Sequence, residues 1–349
     1  MKNTNTKSIA VLFGGCSSEH EVSLSSAAAI LRSIDRSRYT PVPVGITRDG
    51  RWFHFTGPVE AIEDGTWENN GCVPAMISPD TSIHGLVEMG AAPTIIPLDG
   101  AFPVLHGKNG EDGTVQGLLA LAGIPCIGCG VLSSALCMDK DVAHQLAALA
   151  GIPVPGSVII ERIGNAAYFH ELTSGLTYPL FVKPVCAGSS FGITKVEQKE
   201  QLSAAIVTAF AHDNRVIVEE YIEGFEVGCA VMGNDTLTVG AVDEIELSSG
   251  FFDYTEKYTL KTSKIHMPAR ISDETAERIK DTAKRLYRAL QCSGFARVDM
   301  FLTPEGRIVF NEINTIPGFT AHSRFPNMMK GIGMGFEETV NRIIEQEVG

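Results

Sequence analysis

The sequence predicts an open α/β domain followed by lobes of mixed α+β character, and three observations carry that reading. Short β-rich runs alternate with helical patterns through the first third. A second stretch sets short strands around one clear helix, and the last third pairs apolar strand runs with long helices. Length agrees, because 349 residues exceed one ordinary core and suit two to three domains. The expected units are residues 1–127, an N-terminal α/β domain; 128–218, a central lobe; and 219–349, a C-terminal lobe containing an irregular loop at about 246–264.

In the first unit, Ser8 to Phe13, Val42 to Ile46 and Ala101 to Leu105 read as strands, and Val22 to Ile34 and Thr114 to Leu121 as helices. In the second, a helix from Met138 to Ala150 precedes strands at Val158 to Glu161, Leu180 to Pro184 and Ile193 to Glu197, a helix from Glu200 to Ala211 and a strand from Arg215 to Glu219. In the third, strands are expected at Glu226 to Met232, Thr238 to Asp243, Arg297 to Leu302 and Arg307 to Asn311, with helices at Asp273 to Leu290 and Phe336 to Glu347. Glu246 to Lys264, rich in Ser, Gly, Thr and aromatics without a settled period, reads as a functional loop.

Composition narrows the function. A net charge of -13 offers no general attraction to nucleic acid or anionic lipid, so neither is expected as a partner and any phosphate must be handled by a local cationic site. The polar start before Ile9 does not read as a signal peptide, and no run suits a membrane span, so a cytoplasmic protein is expected. Eight cysteines then read as reduced thiols, and Cys126-Ile127-Gly128-Cys129, with no second pair at zinc spacing, as structural.

One set of residues points to metal chemistry. Arg297 and Asp299 lie at i and i+2 on one expected strand, Glu312 and Asn314 at i and i+2 at the end of the next, and Thr303-Pro304-Glu305-Gly306 reads as the turn between them. Residues two apart share a strand face. If the strands form a hairpin, three oxygen ligands converge beside one guanidinium, which suits Mg²⁺ with positions left for water and phosphate. An ion pair on a solvated face explains the same residues equally well.

Two lysines decide between these readings. Lys183 ends the apolar strand Leu180 to Val182, where a partly buried ammonium needs an anion, and Lys140 stands in Cys137-Met138-Asp139-Lys140. The Ala187 to Gly192 loop, with Ser189 and Ser190, can approach phosphate through backbone N–H groups and hydroxyls. Glu219-Glu220-Tyr221-Ile222 followed by Glu226 can offer backbone groups to a base and a carboxylate to ribose. There is no GxGxxG after the first strand, no GxxxxGK[ST] and no G-x-S-x-G, so dinucleotide, P-loop and nucleophilic-serine readings lack support.

These residues carry a resemblance. Gly14-Gly15-Cys16-Ser17-Ser18-Glu19 with Glu21-Val22-Ser23, His106-Gly107-Lys108-Asn109-Gly110-Glu111-Asp112-Gly113, Lys183 to Gly192, Arg297-Val298-Asp299 and Asn311-Glu312-Ile313-Asn314-Thr315-Ile316-Pro317-Gly318 together resemble the D-alanine:D-alanine ligase family of the ATP-grasp fold, end to end. The resemblance implies ATP between the central and C-terminal lobes, with its phosphates on Lys140 and Lys183 under the Ser189 and Ser190 loop. Adenine and ribose would contact Glu219, Glu220, Tyr221, Ile222 and Glu226, with Lys257 and Asn311 completing the nucleotide site. Two Mg²⁺ ions would be held by Asp299, Glu312 and Asn314. It also implies phosphoryl transfer to the carboxylate of one D-alanine and attack on the acyl phosphate by a second amino acid, with Arg297 stabilising the oxyanion. Glu19 would bind the first ammonium, although a carboxylate facing a helix N-terminus accounts for it too.

The acceptor is implied by finer features. Phe251 to Tyr258 resembles the family's lid, with Tyr258 bonding toward Ser189 and Glu19, which favours an amine acceptor over a hydroxyl one. His106, Gly318 and Ser323 fall in the substrate motifs. Phe252 and Arg324 depart from the common pattern and resemble the D-alanine:D-serine ligases of glycopeptide resistance, VanG type, with Arg324 and Asp243 expected to orient the acceptor hydroxyl. Surface charges at Asp243 and Arg324 on a housekeeping D-alanine:D-alanine ligase are the alternative. Cys186 stands where relatives often carry arginine, which questions the anchoring of the Ser189 loop. Family members are commonly homodimers. Another ATP-grasp ligase fits poorly with Glu19 and Tyr258, and an inactive ATP-binding scaffold would have lost a lysine or a metal ligand.

Overall fold

A computed structural model of the chain describes residues 6–188, 192–247 and 263–349. The first sheet has seven strands: β1 (Lys7–Gly14), β2 (Tyr39–Ile46), β3 (Trp52–Phe55), β4 (Cys72–Ile77), β5 (Gly85–Glu88), β6 (Thr94–Pro97) and β7 (Gly100–Pro103), in the order β6-β5-β4-β3-β2-β1-β7. β1 runs parallel to β2 and β7, as the alternating pattern predicts, and the run Ile9 to Phe13 is fully buried, as a strand covered on both faces must be. The antiparallel meander from β3 to β6 was not expected, because its strands are short and Pro-containing and lack sustained alternation.

Helix α1 (His20–Ser33) packs on β1 and on the short α2 (Val59–Glu63), while α3 (Thr114–Ala122) belongs to the core on the sheet's other face. The expected helix from Met138 to Ala150 forms as α5 (Lys140–Leu149), and a further helix, α4 (Val131–Met138), precedes it. The break is Asp139, whose extended backbone ends one helix and whose carboxylate caps the next by accepting from the Val142 N–H at 3.1 Å.

The second sheet is antiparallel, in the order β10-β9-β11-β8, from β8 (Ser157–Ile160), β9 (Leu180–Pro184), β10 (Thr194–Val196) and β11 (Val216–Glu220), with α6 (Ala166–Leu172) and α7 (Leu202–Phe210) on it. β11 runs through the expected boundary at 218/219. The Cys129 to Ile152 segment, placed by sequence in the central lobe, packs its buried residues into the core of the third sheet.

That sheet has the order β14-β13-β12-β15-β16, from β12 (Phe225–Met232), β13 (Thr238–Leu247), β14 (Ser263–His266), β15 (Phe295–Leu302) and β16 (Ile308–Asn314). β13 and β14 take in both ends of the expected loop, and β16 extends past Asn311 to carry Glu312 and Asn314 within a strand. Helix α8 (Asp273–Ala289) buries Ile279, Ala283, Leu286 and Tyr287, the 4-3-1 spacing of one helical stripe. Ser272 caps it by accepting from the Thr275 N–H at 3.2 Å, and Asp273 and Glu274 favour the positive end of its dipole.

Two last helices, α9 (Arg324–Lys330) and α10 (Phe336–Val348), close the fold. α10 lies against α1 and β7, and its Val340, Ile343, Ile344 and Val348 join Ile9, Phe102, Phe295 and Phe325 in one core. Burial of each such side chain stabilises by roughly 1.5–3 kcal/mol, so the N- and C-terminal sheets are fastened by shared core. Among the described residues no helix is long and apolar enough to cross a membrane.

Candidate active site

The hairpin inferred from the sequence forms. Across the antiparallel pair β15–β16, Arg297 stands opposite Asn314 and Asp299 opposite Glu312, so all four side chains share one face. The Arg297 Nε lies 2.9 and 3.0 Å from the two Asp299 oxygens and Nη2 lies 2.6 Å from Oδ2. The ion pair weighed as the simpler reading is therefore present. It is not solvated, since Arg297 is 4% and Asp299 1% exposed.

Register shifts by one residue between Asp299 and Met300, because Met300 pairs with Phe310 and leaves Asn311 extra. In a regular strand neighbours face opposite ways, but the bulge lets both Asn311 and Glu312 line the same cavity. Asn314 Nδ2 donates to Asp299 Oδ2 at 2.9 Å.

The cavity lies between the second and third sheets and has a volume of about 470 Å³, within the usual range for small-molecule sites. Phe181, Ile193, Ile222, Ile245 and Phe301 give it apolar surface, and Lys140, Lys183, Asp299 and Glu312 give it charge. Lys183 leaves β9 and donates to Glu219 Oε2 on β11 at 2.5 Å. Burial would raise the Glu219 carboxyl, but Lys183 and His144 outweigh it and hold it below the usual carboxylate range. Lys140 opens α5 and donates to the Ala187 carbonyl at 2.8 Å. Among the described residues its ammonium has no ion-pair partner, and burial lowers its pKa, with Glu312 opposing and Lys183 adding to the shift. A partly buried cation so placed favours a bound anion.

Glu219 thus faces Lys183 as well as the cavity, where sequence expected a nucleotide contact alone. Glu220 also lines the cavity and accepts from the Thr177 N–H at 2.8 Å, while Tyr221 lies 6.1 Å from the Phe181 ring and beneath Lys195. Cavity-lining residues that sequence reasoning did not single out include Phe181, Glu244, Arg270 and Phe301. The apolar runs marked the strands of Phe181 and Phe301 but not which face would be open, Glu244 lies one residue past the expected strand end at Asp243, and Arg270 lies beyond β14 on no strand.

Asp243 and Arg324 are not surface charges. Asp243 is fully buried, accepting from Arg324 Nε at 2.7 Å and Nη2 at 2.8 Å, and from the Gly228 N–H at 2.9 Å. Arg324 Nη1 also reaches Glu226 Oε1 at 2.7 Å and Asp299 Oδ1 at 3.3 Å. Burial pushes the Glu226 carboxyl up to about 7, Arg324 opposing and Asp299 adding to the rise. The guanidinium is spent on carboxylates at the cavity floor, so an acceptor hydroxyl would meet it only through a rearranged network.

The expected substrate residues gather at a second junction. Glu19 is 6% exposed at the start of α1 and makes no capping hydrogen bond. A Cβ on Gly107 would lie 2.8 Å from its Oε2, and one on Gly188 3.0 Å, so glycine at both positions lets two loops close on this carboxylate. His106 donates from Nδ1 to the Ile316 carbonyl at 2.8 Å, and Glu111 accepts from the Gly107 and Ile316 N–H groups, which joins the first sheet to the loop before Gly318. The Ser323 hydroxyl lies 2.9 Å from that of Thr320, and a Cβ on Gly318 would sit 3.1 Å from it. Ser189, Ser190, Phe252, Lys257 and Tyr258 lie outside the described residues.

All eight cysteines are free thiols, and burial pushes Cys126 up to about 12. Cys186 donates its N–H to Asp213 at 2.6 Å, and Arg215, paired with Asp139, approaches its sulfur, so a guanidinium occupies this neighbourhood from the residue before β11.

As a metal site, Asp299, Glu312 and Asn314 fit by donor chemistry: two carboxylates and an amide, hard donors on adjoining strand positions. Asn314 would have to turn its amide to present oxygen. No group of three or more His, Cys, Asp or Glu forms a metal cage among the described residues, so a cation here would need the amide, water or substrate to complete its shell.

Two family descriptions match the chain, "D-ala D-ala ligase N-terminus" over residues 8–129 and "D-ala D-ala ligase C-terminus" over residues 146–345. The chain is 44% identical over 346 residues to the vancomycin/teicoplanin A-type resistance protein VanA of Enterococcus faecium, covering 97% of this chain and 98% of that protein. It is 43% identical over 342 residues to a D-alanine--D-alanine ligase of Caldicellulosiruptor bescii, covering 96% and 93%. The crystal structure of the VanG D-Ala:D-Ser ligase from Enterococcus faecalis superposes with a TM-score of 0.92 at 59% identity, over 98% of this chain and all of that one. With a mixed α/β architecture matching these structures of the ATP-grasp fold, and with both halves matched in order, the chain belongs to the D-alanine–D-alanine ligase family, a family of ATP-dependent ligases.

Proposed function

We propose that the protein joins D-alanine to D-serine, and less efficiently to a second D-alanine, through a D-alanyl phosphate, and so supplies a modified cell-wall precursor that confers glycopeptide resistance. The observation that carries the catalytic part is the meeting, in one cavity, of the partly buried Lys140 and Lys183 with the face bearing Asp299, Glu312 and Asn314. The lysines would neutralise the phosphates of ATP, and the apolar surface around Phe181 and Ile222 would take the base. Glu220, Tyr221, Glu226 and Asn311 lie along the same cavity for contacts to base and ribose. When bound by Asp299, Glu312 and Asn314, two Mg²⁺ ions would screen phosphate charge and polarise the transferring group.

Phosphoryl transfer to the D-alanine carboxylate releases ADP. Attack by the acceptor amine on the acyl carbon then expels phosphate and forms the peptide bond. Arg297, freed in part from Asp299 by the cations, would face the oxyanion of that second step. Glu19 would hold the first ammonium, with His106, Gly318 and Ser323 shaping the adjoining pocket. Ser189, Ser190, Phe252, Lys257 and Tyr258 are assigned to the lid and phosphate loop from the family motifs.

The D-serine preference is supported by the likeness to the VanG ligase and by the buried Asp243–Arg324 pair. Because Arg324 follows Ser323 directly and is tied to Asp243 and Glu226, it would act by fixing the acceptor loop. A housekeeping D-alanine:D-alanine ligase is the second reading, favoured by the comparable identity to the C. bescii protein. The protein would work in the cytoplasm as a homodimer, and sedimentation of the pure protein tests the latter. Incubation with ATP, Mg²⁺ and equal D-alanine and D-serine should give mainly D-alanyl-D-serine by mass spectrometry. An excess of D-alanyl-D-alanine at neutral pH would establish the second reading instead.

A further inference from the structure

Beneath the cavity, His144 belongs to no family motif quoted above, yet it bridges two of the groups that form the site. It lies four residues after Lys140 on α5, hence on the same helix face, and is 4% exposed. Its ring packs edge-on against Phe310, 5.5 Å between centroids. Nε2 lies 3.0 Å from the Asn311 carbonyl, and since a carbonyl only accepts, this nitrogen carries the proton and donates.

Nδ1 faces Glu219 Oε1 at 3.5 Å, and among the described residues neither of these buried atoms has a hydrogen-bond partner. The other Glu219 oxygen takes the Lys183 ammonium. With the ring protonated on Nδ1 as well, the His144–Glu219 contact is an ion pair, and a line of contacts then runs from the bulge residue Asn311, next to Glu312, through His144 and Glu219 to Lys183. It spans the second and third sheets, the two walls of the cavity.

Resting on the nucleotide reading above, we propose that His144 is a positioning residue for nucleotide binding, which sets the Glu219–Lys183 pair on one wall of the cavity against the Asn311–Glu312 bulge on the other. It touches no reacting atom. Its effect is to fix how far the phosphate lysine stands from the oxygen-donor face, which ATP senses and a free amino acid at the Glu19 junction does not. The bulge makes this strut necessary, because an extra residue interrupts the β15–β16 hydrogen bonds and leaves the Asn311 carbonyl to be anchored from outside the sheet.

The test compares the full-length wild type with His144→Phe, which keeps the ring packing and removes both nitrogens, and His144→Gln, which keeps a donor within reach of the Asn311 carbonyl. Affinity for a non-hydrolysable ATP analogue with Mg²⁺ is measured by calorimetry, and KM for ATP and for D-alanine in steady state. His144→Phe should weaken analogue binding and raise KM for ATP at least fivefold, with KM for D-alanine within twofold, and His144→Gln should recover at least half of the loss. Unchanged analogue affinity in His144→Phe, or equal rises in both KM values, overturns the proposal while leaving the nucleotide reading intact. Should His144→Phe fail to fold, wild-type affinity in His144→Asn, whose shorter amide cannot span both partners, overturns it equally. A wild type that does not bind the analogue defeats the nucleotide reading itself, and the positioning role with it.

Discussion

Replacing Arg324 with methionine keeps most of the side-chain volume and removes a guanidinium that holds three carboxylates. Asp243 would lose bonds of 2.7 and 2.8 Å and keep, among the described residues, the Gly228 N–H, Glu226 would lose its 2.7 Å bond, and Asp299 would keep Arg297. Asp243 is fully buried, and removing one partner of a buried ion pair costs about 3–5 kcal/mol because the other charge is left uncompensated. With an unfolding entropy of roughly 2.1 cal/mol/K per residue, a cooperative unit of this chain's size would lose about 4–7 °C in Tm. The assay is thermal unfolding of Arg324→Met, Asp243→Asn and the double variant, with dipeptide products measured alongside. The double variant should be markedly more stable than the sum of the single losses implies, because Asp243→Asn removes the stranded charge. D-serine use should fall relative to D-alanine in all three. A loss below about 1 kcal/mol in Arg324→Met, as for an exposed pair, would mean that the guanidinium compensates no buried charge, and so would strict additivity.

Other outcomes follow from single features. Lys183→Met strands Glu219, which is 2% exposed, and should raise KM for ATP at least tenfold, read by coupled assay; an unchanged KM would remove Lys183 from the phosphate site. Gly107→Ala places a Cβ 2.8 Å from Glu19 Oε2 at a φ of +70°; it should cost about 1–2 kcal/mol of stability and raise KM for D-alanine, and a neutral effect on both would argue against the Glu19 pocket. The Glu226 carboxyl is raised from 4.5 to about 7, so between those values the folded metal-free protein keeps a proton the unfolded chain has lost. Stability should therefore fall as pH rises through that window, by on the order of 3 kcal/mol, and Glu226→Gln should flatten the fall. Urea midpoints at several pH values test this, and identical profiles for both proteins would contradict it.

The parts of this molecule legible in sequence are those set by local pattern. The hairpin holding Arg297, Asp299, Glu312 and Asn314 could be read because a Pro-Glu-Gly turn separates two alternating runs, and two-residue periodicity fixes which side chains share a face. Lys183 was recognisable as a charge ending an apolar strand. What stayed hidden depends on partners far along the chain. The bulge at Asn311 exists only in the register with β15, and Glu219 finds Lys183 across β9 and β11, 36 positions away. Arg324 meets Asp243 across 81 positions, so sequence could nominate both residues but left them free to be surface charges. His144 looked like any helical histidine until α5 was laid against β16. The meander from β3 to β6 went unread because short strands with prolines take their pairing from neighbours.

The cavity between the second and third sheets is proposed to bind ATP with divalent cations on Asp299, Glu312 and Asn314, for activation of D-alanine. Phosphate release from ATP and Mg²⁺ is the decisive measurement, for the wild type and for Glu312→Gln, with and without D-alanine and D-serine. Release should require D-alanine, rise further with D-serine, and fall at least a hundredfold in Glu312→Gln while the fold is retained. Release that ignores D-alanine, or a Glu312→Gln variant as active as the wild type, would contradict it.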